Sequence, residues 1–295
     1  MHDKEIHRRN AVDWSTLPLG TTPAKELVAL SLSADAHTVV AGFTGSMKSV
    51  LLSRLAVSAL SRGHQVVIID SVALDASFPR QWLSGQASTV PDAAAVIYDL
   101  LEELSRRNAV LRNAGAGSWI ELSTEAREQN SIVPLTLIFD GDGERALGHE
   151  DEEEDFSLFP KLRKSFTSDK EVVWLGLQKL TRDACRVGIH VVFTAQRILP
   201  TTMPDKLRSH FSATVLVLGR FDKPSSQYLS ILLGRNGPEV KKLLQRQCLR
   251  PPGVAVISDS SGLREFHVGF IDHGEVPRIL EVLNIPMPKK QYGWS

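Results

Sequence analysis

The chain has few cysteines, no long apolar run and no net charge. Among its 295 residues, Cys185 and Cys248 are the only cysteines, and they form neither a metal-binding spacing nor a disulfide framework. No apolar stretch approaches the roughly 18–20 residues that a membrane-spanning helix requires. Thirty-four basic residues balance 34 acidic ones, so any DNA-binding surface must be local. Because the N-terminus also lacks the apolar core of a signal peptide, we expect a soluble cytoplasmic protein.

A further absence concerns one glycine of a phosphate-binding loop. The general pattern is G-x-x-x-x-G-K-[ST], and Gly42, Lys48 and Ser49 match it. Met47 stands where the second glycine belongs. A β-branched apolar run precedes the loop and a helical pattern follows it, an arrangement that points backbone N–H groups and a helix dipole at an anion. We therefore predict that ATP is bound by Gly42, Phe43, Thr44, Gly45, Ser46, Met47, Lys48, Ser49 and Val50.

Magnesium should accompany the nucleotide, held by the Ser49 hydroxyl and by an acid at a strand end. Asp140 ends the apolar run 133–140, and Asp70 ends the run 66–70 in the same way. An acid at this edge of a parallel sheet can hold Mg²⁺ through its water shell, which is the Walker B role. We favour Asp140, because the strand ending at Asp70 directly follows the loop helix. In many ATPases of this type, the strand beside the loop comes later in the chain.

The residue after Asp140 is a second departure from an ordinary ATPase site. Many motors place a glutamate there to activate the attacking water, whereas this chain has Gly141. Asp142 and Glu144 follow and either could replace it. The loss of a positioned base typically costs on the order of 10²–10⁴ in rate. The acidic run 150–155 further along is interpreted as a solvated loop, with a metal site or an electrostatic mimic of DNA as alternatives.

A third polar cluster ends the strand Val191–Thr194. Gln196 could sense the γ-phosphate by hydrogen bonding, and Arg197 could reach a phosphate or a neighbouring subunit. A strand-end Gln-Arg pair is weak evidence when it stands alone. It gains weight here because it follows a phosphate loop and an acidic strand end.

Three segments resemble the motor domain of FtsK/SpoIIIE-type DNA translocases. Residues 44–50 read TGSMKSV against the family's T-G-S-G-K-S-V, and residues 104–111 are similar to its E-x-x-x-R-Y helix. Residues 184–197 read ACRVGIHVVFTAQR, close to the family's A-R-x-x-G-I-H-L-x-x-A-T-Q-R, and are the most specific match. The family's Asp-x-Lys after the second strand is absent, since residues 70–72 read DSV.

The resemblance implies a hexameric ring that threads double-stranded DNA through its centre, with ATP and Mg²⁺ bound between subunits. Lys48, Ser49 and Asp140 are then the ATP–Mg²⁺ residues, and Gln196 is the γ-phosphate sensor. Lys48, Asp140 and Gln196 would be the catalytic residues. Arg220 is the nearest match to the family's arginine finger, and an ordinary surface arginine is the alternative.

The expected fold is α/β: a RecA-like P-loop fold with a mostly parallel sheet, helices on both faces and a C-terminal β-hairpin. Apolar strands near 38–41, 65–70, 135–139, 189–194 and 213–218 alternate with helices near 49–62, 92–113, 171–187 and 226–233. Residues 26–32 read as a strand and 17–22 as a turn. We predict an N-terminal segment over 1–30, the ATPase domain over 31–271 and a loosely attached tail over 272–295.

Three functions are compatible with these residues. The first is an active ATP-driven DNA translocase. The second is a motor-fold protein that binds nucleotide or partner subunits with little turnover, because Met47 and Gly141 both depart from a catalytic centre. The third is an unrelated P-loop enzyme such as a kinase, although no substrate-binding lid is evident in the sequence.

Overall fold

The computed structural model describes residues 13–42, 45–70, 78–141, 168–196, 198, 203, 205–218, 225–245 and 253–293. Within these ranges the strands are β1 (Thr16–Thr21), β2 (Leu27–Ser31), β3 (Thr38–Gly42), β4 (Gln65–Ile69), β5 (Gly85–Ala87), β6 (Leu135–Asp140), β7 (Ile189–Ala195), β8 (Ala213–Leu218), β9 (Val254–Asp259) and β10 (Gly262–Val268). The helices are α1 (Lys48–Ser61), α2 (Val90–Ala114), α3 (Thr124–Gln129), α4 (Asp169–Asp183), α5 (Asp205–Arg208), α6 (Ser226–Leu233), α7 (Gly237–Gln245) and α8 (Val276–Val282).

The strands join into one sheet with the order β2-β1-β10-β9-β8-β3-β7-β6-β4-β5 over the described residues. The six strands from β8 to β5 run parallel to one another, and β9, β10, β1 and β2 extend the sheet in antiparallel fashion. Because parallel strands all end at the same edge, the carboxyl ends of β3, β6 and β7 lie along that edge. The predicted α/β fold class, mostly parallel with a terminal hairpin, is confirmed.

Helices cover both faces of the sheet, as the continuous apolar runs predicted. On one face, side chains of α1 and α8 pack with Val40, Val192 and Ile138 from alternate positions of the parallel strands. On the other face, α2, α4 and α6 pack over Phe139 and Phe193. A strand buried on both faces has no polar side to alternate with its apolar one, which explains the unbroken Val/Ile/Leu runs.

Local signals fix the ends of the longest helix, α2. The Thr89 hydroxyl caps its start by accepting a hydrogen bond from the Asp92 N–H, and Pro91 lies in its first turn. Gly115 ends the helix in the left-handed conformation, with φ of 64°. These are the residues that helices use to satisfy their unpaired terminal groups. The predicted helix over 92–113 is therefore present and slightly longer.

The interpretation of residues 17–22 as a turn is wrong. They form most of β1, with the side chains of Leu17 and Leu19 fully buried and a bulge between Pro18 and Gly20. The bulge accommodates Pro18, which cannot donate a ladder hydrogen bond. Gly20 is required for space, since a Cβ there would stand 1.8 Å from the His267 carbonyl oxygen. The predicted N-terminal segment thus contributes a strand to the sheet.

The segment 272–293 is packed, so the expectation of a loosely attached tail is wrong for it. Helix α8 buries Val276 and Leu280 against α1. Tyr292 is fully buried at the outer edge of β5, where its N–H donates to the Ser84 carbonyl. Lys290 donates to the Glu103 carboxylate of α2, at 2.6 Å. The Pro-rich composition suggested looseness, but one aromatic and one charged side chain anchor the segment.

Three buried histidines join segments of the sheet. His64 contacts the Thr136 hydroxyl and the Trp14 carbonyl, at 2.9 and 2.8 Å. His190 contacts the Ala36 carbonyl at 3.0 Å. The backbone N–H of Val191, the residue after His190, donates a hydrogen bond to the His37 ring. Burial lowers the pKa of His37 to about 3 and the pKa values of His64 and His190 to about 4. All three rings are therefore neutral at pH 7.

We expect the free energy of unfolding to decrease as the pH falls from about 6.5 toward 4. In the unfolded chain these histidines bind protons near their ordinary pKa of about 6.5, whereas in the folded chain they do not. Each therefore destabilises the fold by on the order of 1 kcal/mol per pH unit in this window, and the decrease ends below the folded-state pKa. Urea unfolding at pH 7, 6 and 5 measures this slope.

The matched variants for this slope are His64→Gln and His267→Gln. The first removes one of the three buried rings and should make the pH dependence less steep by the contribution of that one histidine. The second removes an exposed ring on β10, which lies in solvent in both states, and should leave the slope unchanged. A free energy of unfolding that is constant from pH 7 to 5 in the unsubstituted protein would contradict the prediction.

Candidate nucleotide site

The predicted phosphate loop connects β3 to α1 at the carboxyl edge of the parallel strands. Gly42 is the last residue of β3, and a Cβ there would stand 2.7 Å from the Ser46 hydroxyl oxygen. Ser46 is fully buried, and Gly45 has a φ of 77° in the left-handed region. The first glycine therefore makes room for the loop's own side chain. Phe43 and Thr44 lie outside the described residues.

Met47 adopts the glycine conformation that its position in the loop pattern demands. Its φ and ψ are 75° and 23°, in the left-handed region, and it is the residue before the first turn of α1. A side chain in this conformation typically costs about 1–2 kcal/mol, because Cβ approaches the neighbouring backbone. Met47 thus has a backbone conformation that favours glycine and carries the strain of a side chain in it.

Contact with β9 accompanies this strained backbone. The Met47 sulfur lies 2.9 Å from the place that a Cβ on Gly253 would occupy, and Gly253 itself has a φ of 84°. Gly253 directly precedes β9, whose hairpin partner β10 returns to it through the hydrogen bond from the Val268 N–H to the Gly253 carbonyl. The thioether therefore links the loop to the terminal hairpin.

Lys48 reaches Asp140 at the end of β6. The Lys48 Nζ and Asp140 Oδ1 atoms are 3.9 Å apart, and both side chains are nearly buried, with 13% and 7% of their surface exposed. No acidic residue occupies the first turn of α1, so the positive end of its dipole adds to the charge of Lys48. Ser49 follows in the same turn and is partly exposed.

This contact favours Asp140 over Asp70, although the reason given from the sequence needs correction. The strands beside β3 are β7 and β8, and β6 is separated from β3 by β7. Neither acid therefore ends a strand next to the loop strand. Asp70 follows β4, one strand further out, and its backbone N–H bonds the Ala87 carbonyl. The length of the lysine side chain spans the intervening strand to reach Asp140.

Gln196 follows β7, the strand between the loop and Asp140. Its side chain is exposed, and Ala195, the last residue of β7, pairs with Ala41 near the end of β3. The predicted site residues Lys48, Ser49, Asp140 and Gln196 are therefore brought to one edge of the sheet. Arg197, Asp142, Glu144, Arg220 and the acidic run 150–155 lie outside the described residues.

The ring of Phe193 occupies the space that a side chain at Gly141 would need. A Cβ on Gly141 would stand 2.4 Å from the tip of the Phe193 ring, and its φ is outside the left-handed region. Phe193 is 1% exposed, stacks on Phe139 at 5.7 Å and meets Phe211 edge-on at 6.2 Å. The glycine is therefore required for space, and a glutamate at this position would displace a packed aromatic cluster.

A buried network of ion pairs supports the start of β7. Arg107 of α2 is fully buried, bonds Glu103 at 2.7 Å and donates to the Val187 carbonyl at the turn into β7. Burial raises the pKa of Glu103, but hydrogen bonds from Arg106, Arg107 and Lys290 outweigh it and lower the pKa to about 2. The network depends on Lys290, 187 residues away, which no local pattern predicts.

Two features are absent from the part of the chain that the structure describes: a metal-binding cluster and a membrane-spanning helix. It contains no group of three or more His, Cys, Asp or Glu residues that could hold a metal ion by themselves. No described helix has both the length and the apolar character to cross a membrane.

Comparison with known proteins gives both a sequence relative and structural neighbours. No family model matches the chain. The DNA translocase FtsK of Rickettsia typhi (strain ATCC VR-144 / Wilmington) is 24% identical over 289 residues, which cover 90% of this chain and 37% of that protein. The chain thus spans little more than a third of the length of this relative.

Solved structures extend the similarity to the fold. The monomer form of the pCW3 conjugation coupling protein TcpA with ATPγS matches with a TM-score of 0.69 at 16% identity, over 93% of this chain and 72% of that one. The resemblance to FtsK-type motors is confirmed. The cytoplasmic domain of the Type VII secretion ATPase EccC from Thermomonospora curvata also matches, with a TM-score of 0.67 at 17% identity, over 96% of this chain and 32% of that one. The RecA-like P-loop fold expected of an FtsK-type motor is therefore present.

The conformation of Met47 predicts an unusual order of stability in this FtsK-like chain. Met47→Gly should be more stable than Met47→Ala by about 1 kcal/mol, because both remove the side chain but only alanine retains the left-handed strain. Ser105, exposed in the middle of α2, provides the control. There the alanine variant should be more stable than the glycine variant by about 1 kcal/mol. Urea unfolding of the four variants measures both orders, and the same order at both positions would contradict the assigned φ.

The contact between Gly141 and Phe193 predicts coupled substitutions. Gly141→Ala should lower the free energy of unfolding by roughly 1–3 kcal/mol, because its methyl group overlaps the Phe193 ring. Phe193→Leu removes the ring tip, so the double variant should lose less than the sum of the two single losses. Denaturant unfolding of the three variants gives this coupling energy. Additive losses would show that the two positions do not meet.

Proposed function

We propose that this protein is an ATP-binding motor subunit that acts on double-stranded DNA. The observation that carries the proposal is the convergence of the phosphate loop, Lys48, Asp140 and Gln196 at one edge of the sheet. A helix N-terminus preceded by this loop favours an anion, and Lys48 adds a cation beside it. ATP is the natural ligand, since a structural neighbour is described with ATPγS.

In this proposal the described residues bind and orient a triphosphate and its metal ion. The loop N–H groups and Lys48 hold the phosphates, while the Ser49 hydroxyl and the Asp140 carboxylate supply the oxygen ligands that Mg²⁺ prefers. The metal would neutralise phosphate charge during hydrolysis. In the same proposal Gln196, which is exposed directly after β7, hydrogen-bonds the terminal phosphate.

The choice of double-stranded DNA rests on sequence more than on fold. The sequence relative is named a DNA translocase, and the segment 184–197 carries the most specific family pattern. The fold alone does not decide the substrate, because the neighbours include both a conjugation coupling protein and a secretion ATPase. We infer that several copies form a ring in the cytoplasm, since DNA-tracking motors of this kind bind ATP between subunits.

A second candidate is a motor-fold protein that binds nucleotide with little turnover. The packing of Phe193 over Gly141 favours it, because no carboxylate can occupy the position that many motors use to activate water. The strained Met47 is an independent departure in the same site. Both candidates share the ATP-binding loop and differ only in catalysis.

Measurement of ATP hydrolysis and nucleotide binding, with and without long duplex DNA, separates these candidates. For an active motor, duplex DNA should stimulate hydrolysis, and Lys48→Ala should abolish binding and turnover because the phosphate charge is no longer compensated. Ser105→Ala on the far helix α2 is the control. Nucleotide binding without DNA-stimulated turnover would support the second candidate. Absence of nucleotide binding in the unsubstituted chain would overturn the proposal.

A further inference from the structure

Thr194 lies next to Asp140 in the sheet. The two residues pair directly across the parallel strands β6 and β7, and Thr194 pairs with Val40 of β3 on its other side. Directly paired residues of neighbouring strands point to the same face. Val40 packs on the face covered by α1, and Lys48 of α1 reaches Asp140. Thr194, Asp140 and the start of α1 therefore share one face at one edge of the sheet.

The Thr194 hydroxyl is buried and has no hydrogen-bond partner among the described residues. The residue is fully buried, and its Oγ1 atom has no hydrogen-bond partner in the described structure. Buried hydroxyls are almost always hydrogen-bonded, because an unsatisfied buried hydroxyl destabilises the folded state. Valine has the same shape and is common in these strands. What distinguishes Thr194 from other such threonines is its place beside Asp140, where a bound ligand could satisfy the hydroxyl.

We propose that Thr194 is a positioning residue for the Mg²⁺–nucleotide complex. Its hydroxyl hydrogen-bonds a water molecule that Asp140 holds in the shell of the ion, and so fixes the orientation of that water and of the carboxylate. This inference rests on the proposed nucleotide site. It concerns only the magnesium-dependent part of binding, because the phosphates themselves are held by the loop and Lys48.

The test compares Thr194→Val, Thr194→Ser and Thr38→Val. Thr38 begins β3, roughly 13 Å from the loop at 3.3 Å per residue, and its hydroxyl is likewise buried and without a partner. Affinity for a fluorescent, non-hydrolysable ATP analogue is measured with Mg²⁺ and with EDTA, together with urea stability. Thr194→Val should weaken binding in Mg²⁺ about three- to tenfold, as expected for one lost hydrogen bond.

The same variant should bind the analogue in EDTA as the unsubstituted protein does, and its stability should not fall, because a methyl group replaces an unsatisfied hydroxyl. Thr194→Ser should retain the magnesium-dependent affinity, and Thr38→Val should bind normally. Unchanged affinity of Thr194→Val in Mg²⁺, or an equal loss in EDTA, would overturn the inference and leave the nucleotide site intact. Failure of the unsubstituted protein to bind the analogue under both conditions would overturn the site and the inference together.

Discussion

The parallel register of β3, β7 and β6 is the constraint on which the rest of the site depends. Ala41 pairs with Ala195, and Thr194 pairs with Asp140, so the ends of three strands far apart in sequence meet at one edge. Each strand is buried on both faces, and a slip in register would move every side chain to a new neighbour. The phosphate loop, the acid and the strand-end glutamine therefore have their relative positions fixed by core packing.

Much of this arrangement could be predicted from the sequence, because it is encoded locally. Long apolar runs predicted the parallel strands, and helical periodicity predicted the long helices. The predictions that failed concern segments whose structure depends on residues far away in the sequence. Residues 17–22 contain Pro18 and Gly20 and read as a turn, yet two buried leucines and a neighbouring β10 make them a strand. The tail was misjudged because Lys290 and Tyr292 bind residues 187 and 227 positions away.

In the candidate site, too, some features are encoded locally and others depend on distant residues. Gly42, Lys48 and Asp140 belong to short motifs, and their meeting at one edge follows from the topology of the sheet. The roles of Met47 and Gly141 could not be read from a motif, since a missing glycine or glutamate shows only a departure. The structure explains each in its own way. Met47 occupies the glycine conformation at the cost of strain, whereas Gly141 is required by the aromatic ring that packs over it.

The position of Tyr292 affects how another chain can pair with the edge of the sheet at β5. Strand β5 is only three residues long, and its outer side bonds to the backbone at Tyr292 through Gly85. Exposed strand edges are templates on which another chain can add. The segment around Tyr292 therefore covers this edge of the sheet, and another chain would have to displace it to add a strand there.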